Sequence, residues 1–304
     1  MQIRIRHAVA ILLLTVAAIP ARAQGTVGHV DAVYQRDIEK FRAEEIKDLK
    51  SNWLVLAGLF WLKPGANAFG TASSNPIVLP AGTAPAKAGV FELAGKDVTL
   101  KLEPGVAATI DNHPVTTAKL QPDSAGKATV VALGRLRMYV ITRGERIGIR
   151  LKDLQSPALR NFSSLHFFPI DPAYRITATW VPSDGKKMIN IPNVLGDVTA
   201  TPIPGEVRFN LNGQPVSLTA LAGDAGKGLF FVFSDATSKS DTYPAGRFLE
   251  TDKIENGTVV LDFNKAYNPP CAVTPYATCP IAPKENRLSV AIPAGEKFDH
   301  SKPH

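Results

Sequence analysis

The residues best able to do chemistry crowd into one stretch, Tyr243 to Leu288. It runs T-Y-P-A-G-R-F-L, then V-V-L-D-F-N-K-A-Y-N-P-P-C-A-V-T-P-Y-A-T-C-P, then K-E-N-R-L. Asp262 and Asn264 end a strongly apolar run, and side chains two apart on a strand share a face, so a carboxylate and an amide are expected side by side. Pro269, Pro270, Pro275, Pro280 and Pro283 fix φ through the loop that follows. Polar side chains on a stiff loop are where binding sites are often built. Arg247, Asp262, Asn264, Tyr267, Asn268, Tyr276, Asn286 and Arg287 are therefore the candidate ligand contacts. Arg247 precedes Asp262 across a turn at Asn256-Gly257. A hairpin there would make the two cross-strand neighbours, either as a structural ion pair or as an anion-binding arginine beside an ionised acid.

Cys271 and Cys279 are the only cysteines. Two close cysteines in an exported chain are expected to form a disulfide, worth roughly 2–3 kcal/mol in the chain-entropy model. A zinc site is the alternative, but this loop holds no further His or Cys to complete it. His166, within Leu165-His166-Phe167-Phe168, is a candidate general base, with a structural hydrogen-bonding role as the competing reading. Other sites are excluded by their missing residues. There is no G-x-S-x-G and no H-E-x-x-H, and His29, His113, His166, His300 and His304 are scattered. Asp235 to Asp241 (D-A-T-S-K-S-D) lacks the carboxylate density and central glycine of a calcium loop and reads as a solvated turn. Nothing in the sequence asks for a metal or a cofactor.

The ends and the composition set the compartment and the scale. Arg4, Arg6 and His7 precede an apolar run from Ala8 to Ile19. Pro20 and the small-x-small Ala21-Arg22-Ala23 follow. This is the order of a secretory leader cut before Gln24, too short for a stable span of about 20 residues. The expectation is a periplasmic or secreted protein with no transmembrane anchor after cleavage. The formal net charge of the 304-residue chain is +7, and Arg4, Arg6 and Arg22 leave with the leader. The remaining excess is scattered, so nucleic acid is not an expected partner.

The elements that must position these residues are mainly β. Val30, Val33, Ile38, Phe41, Ile46 and Leu49 recur near a helical spacing, so residues 24–50 should carry one helix, packed as a lid or brace on the first β domain. Short strands punctuated by Gly, Pro and Asn follow over 51–155, with a hairpin of Arg137–Thr142 and Ile147–Leu151. Lys152–Asn161 reads as a linker. A second β domain spans 160–298, with Asn212-Gly213 as its clearest hairpin turn and Leu229–Phe233 as a buried central strand. The expected architecture is two β-sandwich or barrel-like domains preceded by one α-helix.

Two resemblances add to this. Gly70, Ser73-Ser74-Asn75 and Ile77-Val78-Leu79 faintly resemble the start of a forkhead-associated domain. That resemblance implies a β-sandwich, but the arginine after the glycine and the Ser-x-x-His of phosphothreonine binding are absent. The run Leu261 to Ala272, with Tyr276-Ala277-Thr278-Cys279-Pro280, Glu285-Asn286-Arg287-Leu288, Trp53 to Leu62 and Gly246-Arg247-Phe248-Leu249, resembles the uncharacterised bacterial family called domain of unknown function 1684. The resemblance covers roughly residues 33–297 and implies no mechanism. The sequence thus supports three functions: an exported protein binding a small polar or anionic ligand at the C-terminal loop, a hydrolase of an envelope substrate using Asp262 and His166, or a structural or partner-binding envelope protein.

Overall fold

A computed structural model describes residues 30–224 and 228–301. The leader expected over residues 1–23 lies outside the described residues. No helix among them is long and apolar enough to cross a membrane.

The chain begins with helix α1, Ala32–Asp48. Asp31 caps it, its carboxylate accepting the N–H groups of Val33 at 2.8 Å and Tyr34 at 3.1 Å. A single wider turn, Leu49–Trp53, ends it. The first strand therefore starts at Leu56. Six strands, from Leu56–Trp61 to Arg146–Asp153, make one sheet, and five make a second. Phe69, Phe91 and Leu100 from the second sheet meet Met138, Ile149 and Leu151 from the first in one buried cluster. Two sheets sharing one core form a sandwich. The hairpin of Leu136–Arg143 and Arg146–Asp153 forms as the sequence indicates, with Arg143 opposite Arg146. The expected linker is partly helical: Ser156 caps α2, Pro157–Asn161.

After residue 174 a four-stranded sheet carries Arg175–Pro182 at its centre, paired to Gly205–Leu211 on one side and Thr258–Asp262 on the other. Asn212 (φ 52°) and Gly213 (φ 79°) turn Gly205–Leu211 into Gln214–Thr219, the positive-φ pair that a tight hairpin needs. Gly228–Phe233 is the middle of a three-stranded sheet, flanked by Ala222–Asp224 and Arg247–Glu250. Its two faces explain its apolar sequence. Leu229, Phe231 and Phe233 pack toward the four-stranded sheet, whereas Val232 and Phe230 pack with Ala277, Cys279 and Ala282 of the proline-cysteine loop.

Two expectations about packing are corrected. Helix α1 braces the later β region rather than the first sandwich: Tyr34 reaches Asp262, Asp37 pairs with Lys265 at 2.7 Å, and Arg42 donates to the Phe168 carbonyl. Its apolar stripe is covered only in part: Ile38 is fully buried and Phe41 meets the Tyr267 ring edge-on at 6.3 Å, whereas Val33 is exposed. Polar contacts hold the helix alongside these apolar ones and choose the surface it packs on, which an apolar periodicity cannot reveal. Asp235 to Asp241 is likewise no solvated turn: Asp235, Thr237 and Ser238 are buried.

Arg247 does not pair with Asp262. Its strand pairs with Gly228–Phe233, while the strand of Asp262 pairs with Arg175–Pro182, so no hairpin joins them. Arg247 is 0% exposed, lies 5.1 Å over the Phe233 ring, and donates to Asp235 Oδ2 at 2.7 Å. The same guanidinium donates to the carbonyls of Ala294 and Ile292. Removing one partner of such a pair leaves a buried charge uncompensated. Arg247→Met should cost about 3–5 kcal/mol in denaturant unfolding, and the double variant Asp235→Asn/Arg247→Met should regain part of that loss.

Candidate functional site

The expected ligand residues separate into several places. Asp262 is 8% exposed and is covered by the helix, accepting the Tyr34 hydroxyl at 2.8 Å. Arg175 lies 3.9 Å away. Burial pushes the Asp262 pKa up, partly offset by hydrogen bonds from Tyr34 and Asn264 and by the charge of Lys265. Asp262 also caps the short helical turn Phe263–Lys265, so Asn264 reaches it around a turn rather than by strand alternation. Asn264 is fully buried and joins Asp171 to Tyr34: its Oδ1 accepts the Asp171 N–H, and its Nδ2 donates to the Asp171 carbonyl and the Tyr34 hydroxyl. Asn286 is also fully buried, accepting the Thr219 N–H and donating to the carbonyls of Thr219 and Val232. Both asparagines bind backbone, which explains their burial and leaves nothing for a ligand.

Arg287 is exposed and donates to the Ala282 carbonyl at 3.0 Å. Tyr276 is half-buried, with its carbonyl toward Arg150 Nη2 at 3.5 Å. Cys271 and Cys279 carry free thiols here. Each sulfur accepts the other residue's N–H, at 3.2 and 3.3 Å, so the loop closes on itself at the two cysteines.

Asn268 and His166, by contrast, border one cleft of about 430 Å³. One wall is the segment from Ala158 in α2 to His166. The others are Asn268, Ala272 and Val273 of the proline-cysteine loop and the C-terminal stretch Glu296–Asp299. These walls are tied by pairing between 166–168 and 295–297: Lys297 donates to the His166 carbonyl and Phe168 to that of Gly295. Gly295 makes the turn at φ 79°, and a Cβ there would lie 2.4 Å from the Ala266 carbonyl oxygen. Only glycine fits such a place.

Glu296 lies on the floor, 5% exposed. Its Oε2 accepts the Asn268 N–H at 2.8 Å, and the Asn268 amide donates to the Lys297 carbonyl at 3.0 Å. Asn268 Oδ1 is buried without a partner. Behind this floor is a small cavity of about 40 Å³, bounded by Glu296, Asn268, Tyr267 and, from the helix, Glu45, Asp48 and Trp53. That is room for about one water molecule. Tyr267 donates to Glu250 Oε1 at 2.8 Å, and burial with Glu250 holds its hydroxyl firmly protonated.

Two carboxyls here are displaced together. Burial pushes Glu296 up to about 7, with Glu45 adding to it and Asn268 and Arg247 opposing. Burial likewise pushes Glu45 up to about 7, with help from Asp48, Glu250 and Glu44. Sequence reasoning did not single out either glutamate. Glu45 sits among the acids of a polar helix face, and Glu296 follows a glycine in a strandless tail. The proline-rich loop did point to Asn268, their shared neighbour. Among the described residues no group of three or more His, Cys, Asp or Glu is placed to hold a metal ion.

Fold and site together define a β-rich protein with a cleft between its C-terminal tail, proline-cysteine loop and inter-sheet segment. Residues 160–297 match the family described as "Protein of unknown function (DUF1684)", and this segment of the chain belongs to that family. The match covers the later β region and both the Asn268 and Glu296 walls of the cleft. No curated protein matches. Among solved structures the chain is similar to the solution NMR structure of an uncharacterized protein of Haloarcula marismortui, with 31% identity over 49% of this chain and 85% of that one and a TM-score of 0.40. It is also similar to an FHA domain from a study of phosphothreonine-dependent interactions, at 17% identity over 31% of this chain and 92% of that one, TM-score 0.23. A crystal structure of an FHA domain complexed with another protein's intracellular domain matches at 17% identity over 31% and 97%, TM-score 0.23.

A carboxyl held above its ordinary value lowers stability once it must ionise. The folded chain keeps a proton that the unfolded chain has released, so the cost grows as pH rises from about 4.5 to about 7 and is complete above that. Glu296→Gln keeps an acceptor for Asn268 and removes the charge. It should raise unfolding stability by about 3 kcal/mol at pH 8 and leave it nearly unchanged at pH 4, measured by denaturant titration at both pH values.

Proposed function

We propose that this protein binds a small polar ligand in the cleft floored by Glu296 and Asn268. The single observation that carries the proposal is a nine-tenths-buried carboxyl beside an unpartnered amide oxygen, both bordering a cavity with apolar walls. Buried polar groups without protein partners are costly, and a ligand that meets them offsets that cost. Phe162, Leu165, Val273 and Phe298 supply apolar surface. The anionic ligand considered from the sequence has less support here, because Arg247 is sequestered with Asp235 and Arg287 does not border the cleft.

A hydrolase is the second reading, and one observation favours it. His166 borders the same space as Glu296, and a carboxyl titrating near neutrality is suited to general acid–base work. Asp262 is less suited to that role, being closed off beneath Tyr34. Export, and a Cys271–Cys279 disulfide in an oxidising compartment, belong to the same proposal. The apposition of the two residues supports the disulfide, and thiol labelling of the purified exported protein before and after reduction tests it.

The binding proposal is tested by a thermal-shift panel of sugars, amines, phosphorylated metabolites and peptidoglycan fragments. A binder at 100 times its Kd should stabilise by about 2.7 kcal/mol. Ala158→Trp fills the cleft from an exposed helical position and should abolish the shift without lowering the unliganded melting temperature. A flat panel, or a shift that survives Ala158→Trp, would overturn the cleft as the site. Turnover that disappears in Glu296→Gln while binding remains would establish the hydrolase.

A further inference from the structure

We propose that the ligand of this cleft carries a protonated amine, with the Glu296 carboxylate as its counter-ion. The proposal deepens the cleft reading above and rests on it. The floor offers acceptors in need of donors. Asn268 Oδ1 is buried and unpartnered. Glu296 is hydrogen-bonded by Asn268 alone and has no ion-pair partner among the described residues. An ammonium group supplies the donors and the opposite charge at once, and charge-assisted hydrogen bonds are the strong ones.

The cations of the molecule do not answer this need. Arg247 acts on Glu296 only through space, its guanidinium being committed to Asp235, Ala294 and Ile292. Lys297 is turned over the Phe168 ring, 4.8 Å from its centre, and His166 is exposed at the rim. The groups facing Glu296 from helix α1 are acids, Glu45 and behind it Asp48, and Glu250 adds to the same field through Glu45 and Tyr267. A carboxylate ligand would add one more negative charge to this set. A neutral hydroxyl would supply a donor and leave the charge unmatched. The apolar side chains of Phe162, Leu165, Val273 and Phe298 suit a hydrocarbon body behind the amine.

Seating an ammonium beside Glu296 favours the ionised carboxylate, so binding near neutral pH should release a proton. The displacement of Glu296 and Glu45 to about 7 makes that release measurable.

The test uses three isosteric probes on the full chain: benzylamine, benzyl alcohol and benzoate. Backbone amide chemical shifts locate binding, and calorimetry in two buffers of different ionisation enthalpy counts protons. Benzylamine should perturb the amides of Asn268 and Glu296, bind about tenfold or more tightly than benzyl alcohol, and release a proton. Benzoate should not bind. Glu296→Gln should bring benzylamine down to the affinity of the alcohol and end the proton release. If the alcohol or benzoate binds the cleft as tightly as the amine, or Glu296→Gln leaves benzylamine unaffected, the amine assignment is overturned and the cleft reading stands. If none of the three perturbs the cleft amides, the cleft reading falls with it.

Discussion

The buried ion pair of Arg247 and Asp235 is the constraint on which the later half of the molecule depends. A guanidinium has five donors in a fixed fork, and each one left unmet away from water is costly. Arg247 engages one carboxylate and two carbonyls through its two terminal nitrogens, while its Nε lies buried without a partner. Asp235 uses its other oxygen to accept from Ile292, Thr237 and the Thr237 hydroxyl. The pair thus pins Ile292–Ala294 against the core, although that segment belongs to no strand. Gly295 then turns the chain, and Glu296 donates its N–H to Ala266. The position of the one buried acid in the cleft is therefore inherited from an ion pair on another face of the same tail.

A second polar set fixes the helix. Tyr34 donates to Asp262, accepts from Asn264 and lies under Arg175, while Asp37 holds Lys265. These contacts seat α1 so that its last turns bring Glu45 and Asp48 up to the wall formed by Tyr267 and Asn268. Residues far apart in sequence thereby share one poorly solvated space. The raised carboxyls are mainly a consequence of that assembly, since burial is the largest cause in both.

Much of the β architecture was legible from the sequence, because strand periodicity and turn chemistry are local. Asn212-Gly213 marks a hairpin because the turn needs two positive φ values. Leu229–Phe233 is apolar throughout because its sheet is covered on both faces, once by its partner sheet and once by the proline-cysteine loop. The site was less legible. Of the eight residues singled out, Arg247, Asn264 and Asn286 proved to be fully buried connectors, whose polar groups satisfy backbone or a core carboxylate. Their conspicuous chemistry in an apolar neighbourhood was real, but it served packing.

What the sequence determined by itself was the class of fold, the family, the stiff loop around the two cysteines and the presence of one helix, all properties of neighbours along the chain. What only the tertiary structure decided was which charge meets which: Arg247 with Asp235 instead of Asp262, the helix against the later β region instead of the first sandwich, and Glu296 beside Asn268 and Glu45. Ion pairing and desolvation depend on how segments meet in space, whether 12 residues apart as for Arg247 and Asp235 or 228 as for Tyr34 and Asp262, and no periodicity along the chain encodes them.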